Sequence, residues 1–421
     1  MAEIENPAPS AFDAIVVGGG PSGCSCALFL ARAGRKVLLL EKAAFPREKV
    51  CGDAFSGKSI GIARELGLLG KIGECKHGIV RRLAMTAPNG KKVTVPFNNA
   101  DGMDFAGYVI ERKETDAVFF NAVKSEPNVT VMENFPVYSV TKDADGAVNG
   151  VEGTAVGSNE KKRFKSRVVV GADGAASAVS RSLGLPSQPL GHVYSAVRGY
   201  YEGVSGLSEE IELYFIDSVL PGYLWVFPMG GGRANVGIGI LSSDLAARKK
   251  HPNVIMAEAL KAHPALAERF KGAHVIGRIS GWAIPNGSYR KKCFGNGWAL
   301  VGDAASLVDP FSGEGVGNGL LSGKLAAQAI SRALSSQMGD GPLPAGALAE
   351  YSKSVDDAIR PEIVDSYRLQ RLTRMRFLLN LFIGKAADKP EIRQVFVDMM
   401  SSDEAKKTVR SPLFYLKLLL S

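Results

Sequence analysis

Three glycine-rich turns, each directly after an apolar run, are the residues best suited to chemistry in this chain. The first run, residues 11–17 (AFDAIVV), breaks into GGGPSG and then into residues 22–33, whose small and apolar side chains suit a helix. A second apolar run, residues 36–40 (KVLLL), ends at Glu41. Gly18, Gly20 and Gly23 fit G-x-G-x-x-G within strand, turn, helix, strand and acid, the context that a dinucleotide site requires. Gly18 permits the tight turn, Gly20 lets the backbone approach a pyrophosphate, and Gly23 lets helix pack on strand. The helix N-terminus then faces the phosphates with its partial positive charge. Glu41 stands at the distance expected for a ribose hydroxyl. The other two turns are GADG at 171–174, after VVV, and GDAASLVDPFSGEGVGNG at 302–319, after WALV.

Two further stretches carry reactive or recognition chemistry. Cys51-Gly52-Asp53 places a thiol and a carboxyl on one turn, two acids for proton transfer. Tyr223, Trp225 and Phe227 alternate along a run of strand character, which puts three rings on one face. Aromatic walls of this kind suit an apolar, electron-rich chain and shield developing positive charge. Arg112, at the start of a helix predicted over residues 111–124, offers a guanidinium to a pyrophosphate, and Arg47 is a second of the same kind.

These residues need a scaffold, and 421 residues supply one with a generous core. Hydrophobic residues make up 46% and charged residues 22%, which excludes wholesale disorder and a polytopic membrane protein. Glycine is in excess, 48 residues or about 11% against roughly 7% in average usage. Short β-rich runs with turn signals fill residues 82–97 and 129–170, and the chain is again strand-rich over 194–240. A helical excursion at 244–270, strands near 277–283, and a long helix ending about Leu334 follow. Residues 343–421 are mostly helical by pattern.

The three turns together resemble the flavoprotein superfamily that includes p-hydroxybenzoate hydroxylase, over roughly residues 11–335. FPREKVCGDAFS (45–56) with PGYLWVFP (221–228) is similar, more narrowly, to the geranylgeranyl reductase family, flavoenzymes that saturate isoprenoid double bonds. The resemblance implies an α/β (α+β) fold. It has a Rossmann-like, three-layer FAD-binding domain (11–75, 108–185 and 275–340), an antiparallel-sheet substrate domain (76–107 and 186–274) and a helical C-terminal segment (341–421). It implies FAD contacts at Cys24, Glu41, Cys51, Gly52 and Ala54, at Arg112, and at Val137 through its backbone. Asp303 would bond the ribityl chain, and the helix after Gly315 and Val316 would point at the flavin pyrimidine. Tyr223, Trp225 and Phe227 would line the substrate tunnel. Cys51 would donate a proton or tune the flavin, with Asp53 as the other acid. The pigment branch of the family is expected to carry Cys-Gly-Gly, from which this Cys-Gly-Asp departs.

The implied reaction is reduction of a prenyl lipid, prenyl diphosphate, prenylquinone or pigment side chain, with electrons from NADPH or a ferredoxin-like protein. An aromatic hydroxylase or halogenase of the wider superfamily is the second enzymatic reading, and a non-catalytic prenyl-lipid-binding flavoprotein the third. Five scattered cysteines and a start without a basic and apolar leader point to a reducing, cytoplasmic location. The excess of 51 Lys and Arg over 42 Asp and Glu, +9, favours phosphates or an acidic lipid surface. Residues 369–384 and 409–420 mix Arg and Lys with Leu, Phe and Ile like interfacial helices, so a peripheral membrane association is expected. Histidine and cysteine spacing gives no zinc motif, and dispersed basic residues give no nucleic-acid module.

Overall fold

Parallel strands carry the glycine turns. In the computed structural model, which describes residues 12–97, 105–337 and 339–401, the strand Phe12–Val17 lies between Val37–Leu40 and Lys161–Gly171. Trp298–Leu300 and Val129–Met132 extend the parallel sheet on either side. Ala14, Ile15, Val16, Val37 and Leu39 are fully buried, which is why these strands read as continuous apolar runs rather than alternating ones. Val137–Lys142 and Val148–Thr154 branch from Lys161–Gly171 as an antiparallel meander.

Two helices are held together at the cofactor end of this sheet by missing side chains. Pro21–Arg32 and Val316–Ser336 cross so closely that a Cβ on Gly323 would stand 2.3 Å from the Ser22 carbonyl oxygen. A Cβ on Gly319 or Gly302 would stand 2.5 or 2.2 Å from Ser22 Oγ. Ser25 Oγ donates to the Leu320 carbonyl at 2.7 Å across the same contact. Gly319, the last glycine of GVGNG, and Gly323 therefore serve helix packing.

The second module is a seven-stranded sheet in the order His274–Pro285, Val193–Glu202, Arg233–Leu241, Tyr223–Gly230, Glu210–Tyr214, Arg82–Thr86, Lys92–Pro96. It is antiparallel except where Glu210–Tyr214 runs parallel to Arg82–Thr86. The strand 274–285 belongs here, paired with Val193–Glu202, so the boundary expected at 275 moves to its end. It is an edge strand with many exposed positions, and no apolar pattern marks its allegiance. A three-stranded sheet, Ala54–Ser56, Gly107–Ile110 and His77–Val80, joins the modules. Gly78 brings it against the large sheet, since a Cβ there would lie 2.0 Å from the Pro228 carbonyl oxygen.

The expected excursion at 244–270 is three helices, Ser242–Arg248, Pro252–Ala262 and Pro264–Arg269. Among the described residues four helices follow residue 344, namely Ala345–Ala358, Arg360–Leu372, Arg376–Asp388 and Pro390–Ser401. The apolar side of residues 369–384 turns inward, with Leu379 and Ile383 buried in the same cluster as Val93, Val95 and Leu213. Met375 and Phe377 stay outside, 47% and 67% exposed. Residues 409–420 lie outside the described residues. Among the described residues no helix is long and apolar enough to cross a membrane.

The helix crossing is directly testable. Alanine is the better helix former by about 1 kcal/mol, yet Gly323→Ala is expected to destabilise the protein, because overpacking of a tight contact costs about 1–3 kcal/mol. Chemical denaturation of the variant beside the wild type measures the sign.

Candidate active site

The first glycine turn is built from close backbone approaches, with its Gly18 N–H donated to the Leu40 carbonyl at 2.8 Å. Gly18 sits at φ +108°, and a Cβ there would lie 2.5 Å from the Ala172 carbonyl oxygen. A Cβ on Gly23 would stand 1.9 Å from the Gly18 carbonyl oxygen. The helix Pro21–Arg32 has Gly20 at its N-cap and no side-chain cap, so its end is open to an anion. Glu41 holds the loop with both oxygens, accepting from Gly19 N–H at 2.7 Å and Ala43 N–H at 3.0 Å. Cys24 is fully buried and donates its thiol to the Gly19 carbonyl at 3.2 Å, and burial pushes that thiol well above its usual range. Gly23 and Cys24 thus shape the loop from behind and do not line the cavity in front of it.

The two arginines expected to offer a guanidinium to a pyrophosphate are held by one carboxylate. Arg47 lies over the loop, its Nη2 3.4 Å from where a Gly20 Cβ would be. Arg112, which also lines the cavity, is bidentate to Asp116 on its own helix (2.6 and 2.9 Å), and its charge acts on the Cys51 thiol. Buried Asp116 also accepts from Arg47 at 3.1 Å, so one carboxylate fixes both guanidiniums. In the GADG turn Asp173 caps a helix, accepting from Ser177 Oγ and Ala178 N–H at 2.6 Å each and from Val179 N–H at 3.2 Å. Ala172 and Gly174 of that turn face the cavity.

At the third turn, Asp303 presents a carboxylate to which no protein group donates a hydrogen bond among the described residues. Burial raises its pKa against the pull of Lys49 and Arg112. Lys49 is itself lowered to about 8 by burial, with Nζ 3.4 Å above the Trp282 ring. Gly315 and Val316 open the helix Val316–Ser336, and a Cβ on Gly315 would lie 3.6 Å from Asp303 Oδ1. Glu314 already occupies this helix end, accepting from Gly317 N–H at 2.5 Å.

The strand Tyr223–Gly230 forms the opposite wall. Its rings are contiguous, Tyr223 to Trp225 at 6.3 Å and Trp225 to Phe227 at 6.2 Å between centroids. Trp225 lies in a trough made by glycine, since a Cβ on Gly237 of the neighbouring strand would come within 2.3 Å of its ring. Tyr223 donates to the Ser312 carbonyl at 2.6 Å, which ties the wall to the third turn. Gly52 lets the Cys51 turn approach it, for a Cβ there would be 3.0 Å from Phe227. Burial raises the Cys51 thiol, offset by the Arg112 guanidinium.

Two residues that no motif singled out hold the turn to the wall. Asn235, fully buried, accepts from Trp225 Nε1 at 2.9 Å and donates to the Cys51 carbonyl and to Asp53 Oδ2, both at 2.8 Å. Tyr200 donates to Asp53 Oδ2 at 2.7 Å. Burial raises Asp53 to about 6, offset by the Tyr200 bond, Arg198 and the Asn235 bond. A polar residue amid the apolar run ANVGIGI was the one available sign of Asn235; Tyr200 had none.

One cavity of about 2160 Å³ connects all of this. It is roughly twice the ~1,000 Å³ upper end of ordinary ligand sites, enough for a dinucleotide and a second ligand side by side. Gly18, Gly20, Glu41, Arg47, Cys51, Gly52, Asp53, Ala54, Arg112, Val137, Asp303, Gly315, Val316, Tyr223, Trp225 and Phe227 line it. Beyond the aromatic wall it continues among Leu83, Met85, Leu213, Phe215, Leu379 and Phe382. The open helix end, the side-chain-free loop and the unpartnered Asp303 carboxylate fit FAD.

A family model described as an FAD binding domain matches residues 11–340. The chain is 32% identical over 330 residues to menaquinone reductase of Mycobacterium tuberculosis, covering 76% of each. It is 33% identical over 331 residues to digeranylgeranylglycerophospholipid reductase 1 of Methanococcoides burtonii, again covering 76% of each. A geranylgeranyl bacteriochlorophyll reductase-like structure from Thermoplasma acidophilum superposes with a TM-score of 0.81 at 24% identity, over 98% of both chains. A flavin-dependent brominase superposes at 0.76 and 21% identity, over 93% of both. The latter two show that the fold is shared; the reductase relatives, the matched FAD domain and the Cys51 and YLWVFP stretches place this chain in the geranylgeranyl reductase family of FAD-dependent oxidoreductases.

Proposed function

We propose that the protein saturates isoprenoid carbon–carbon double bonds of a prenyl lipid, prenyl diphosphate, prenylquinone or pigment side chain. The observation that carries this reading is the meeting of two unlike halves of one cavity at the Cys51–Asp53 turn: a phosphate-binding loop on one side, and an aromatic trough leading into aliphatic walls on the other. Names among its relatives include a quinone and a geranylgeranylated phospholipid. FAD, when bound and reduced, supplies the hydride equivalent. Arg47 and the open helix end hold the phosphates, and Asp303 accepts from the ribityl chain. The ring of Trp225, fixed by Asn235, presses a prenyl chain towards the turn and keeps water out, since an isolated alkene accepts hydride poorly unless both partners are held face to face in a dry site. The turn supplies the proton.

Anaerobic, dithionite-reduced holoenzyme incubated with geranylgeranyl diphosphate, a prenylquinone and a geranylgeranylated ether lipid is expected to yield product heavier by two hydrogens per reduced bond. Oxygen-dependent hydroxylated or halogenated product, without any such gain, would favour the monooxygenase or halogenase chemistry instead. Asp303→Ala is expected to weaken FAD binding by about 10–100-fold, the worth of one hydrogen bond to a charged group, as read by flavin fluorescence titration.

The exposed Met375 and Phe377, beside Arg374 and Arg376, supply a contact to a membrane from which a prenyl substrate would be drawn. Sedimentation with anionic phospholipid vesicles is expected to carry the wild type down and to leave a Met375→Ser, Phe377→Ser double variant in solution. Equal sedimentation of both removes this contact from the reading.

A further inference from the structure

Among the described residues, two carboxylates that line the cavity, Asp53 and Asp309, keep a buried oxygen without a hydrogen-bond partner, and of the two only Asp53 lies at a left-handed backbone position beside the aromatic wall. It is 1% exposed, and its backbone stands at φ +67°, a left-handed conformation that a non-glycine residue keeps only when its surroundings over-determine it. Oδ2 accepts from both Tyr200 and Asn235. Oδ1 is buried and has no hydrogen-bond partner. A buried polar atom is normally paired, and this one belongs to a residue that lines the cavity between the glycine loop and the aromatic wall. With two donors on Oδ2, the proton of the neutral acid resides on Oδ1, where no protein acceptor competes for it.

We propose that Asp53, through Oδ1, is the acid that protonates the alkene, and that Tyr200 and Asn235 are its positioning residues; the assignment rests on the reductase reading above. The Asp53 O–H bond breaks as a C–H bond forms at one alkene carbon, the reduced flavin supplies the hydride for the other carbon, and the carboxylate regains its proton from solvent. Cys51 is placed differently. The Arg112 guanidinium and the Asp53 backbone N–H lie beside its sulfur and oppose the rise that burial causes in the thiol.

The groups around Asp53 set its titration. Arg198 and Tyr200 face it from Val193–Glu202, Asn235 from Arg233–Leu241, Arg112 from the helix Arg112–Lys124, and Cys51 from its own turn. Arg198 stacks 3.9 Å over the Tyr200 ring, and Arg233 pairs with Glu111 at 2.9 Å behind it. Burial outweighs the two cations, and the value of about 6 suits an acid working near neutral pH.

The test uses FAD-loaded, anaerobically reduced enzyme with geranylgeranyl diphosphate in single turnover across pH 5–9. Asparagine tolerates a left-handed backbone, so Asp53→Asn is expected to fold and retain FAD while product formation slows about 100- to 10,000-fold. Tyr200→Phe removes a bond that favours the carboxylate, so its loss of rate with rising pH is expected at higher pH than in the wild type. A second readout needs no turnover. The folded acid keeps its proton above the ordinary 3.8, up to about 6, whereas the unfolded chain has released it. This group therefore makes the wild type lose stability as pH rises through that window. Asp53→Asn lacks this contribution, so its melting temperature falls less over the same window. Wild-type turnover in Asp53→Asn, or a Tyr200→Phe pH profile that superimposes on the wild type, overturns the proposal. Absence of reduced product in the wild type itself sinks the reductase reading, and the melting comparison then still judges the acid, identical slopes overturning it.

Discussion

The structure depends on one close approach, that of the helix Pro21–Arg32 to the helix Val316–Ser336 around Ser22. Gly302, Gly319 and Gly323 each stand where a Cβ would fall within 2.5 Å of Ser22 atoms. The first helix begins at the glycine loop and the second at Gly315, beside Asp303. Their separation therefore sets the distance between the phosphate end of the cofactor site and its ribityl and ring end. A side chain at the crossing would wedge the two ends apart, and interiors packed at crystal density transmit such a displacement. The glycine excess of the sequence is in good part the signature of this packing.

A second group of glycines does for the substrate what the first does for the cofactor. Gly237 clears the space in which the Trp225 ring lies, and Gly52 lets the acidic turn come against Phe227. Asn235 then joins indole, turn carbonyl and carboxylate through one amide. The aromatic wall and the acid are consequently not independent features that happen to face each other. They are one hydrogen-bonded unit whose register is fixed by the pairing of Trp225 with Gly237 and of Tyr200 with Asn235 across neighbouring strands.

What was legible in the sequence is what local backbone geometry dictates. The first turn needs glycine at three fixed offsets and an acid after the next strand, and Gly18, Gly20, Gly23 and Glu41 take those places. Alternation alone put Tyr223, Trp225 and Phe227 on one face. Long-range choices were not legible. A helix-start arginine gives no local sign of the buried aspartate that orients it, as Asp116 orients both Arg112 and Arg47. The GADG turn gives no sign that its aspartate accepts from the N–H groups of the following helix. The amphipathic pattern of residues 369–384 fits a membrane face and a cavity wall equally well, and tertiary packing turned most of it inward. Tyr200 and Asn235 acquire meaning only through strand pairing with partners far away in sequence.

The cavity's acids divide by whether protein donors already satisfy them. Glu41, Asp116 and Asp173 each receive two or more hydrogen bonds from loop, arginine or helix end, and each shapes the chain around it. Among the described residues Asp303 receives none, and Asp53 and Asp309 each keep one buried oxygen without a partner. Leaving a buried polar atom unpaired costs about 1–3 kcal/mol, a cost that a fold sustains where a bound molecule completes the pairing. Asp303 and Asp53 line the same space, one suited to accept from a ribityl hydroxyl and the other to give a proton to carbon. Burial raises both acids and Arg112 pulls against it at both; Lys49 adds to that pull at Asp303, and Arg198 with the Tyr200 and Asn235 bonds at Asp53, which burial still carries to about 6.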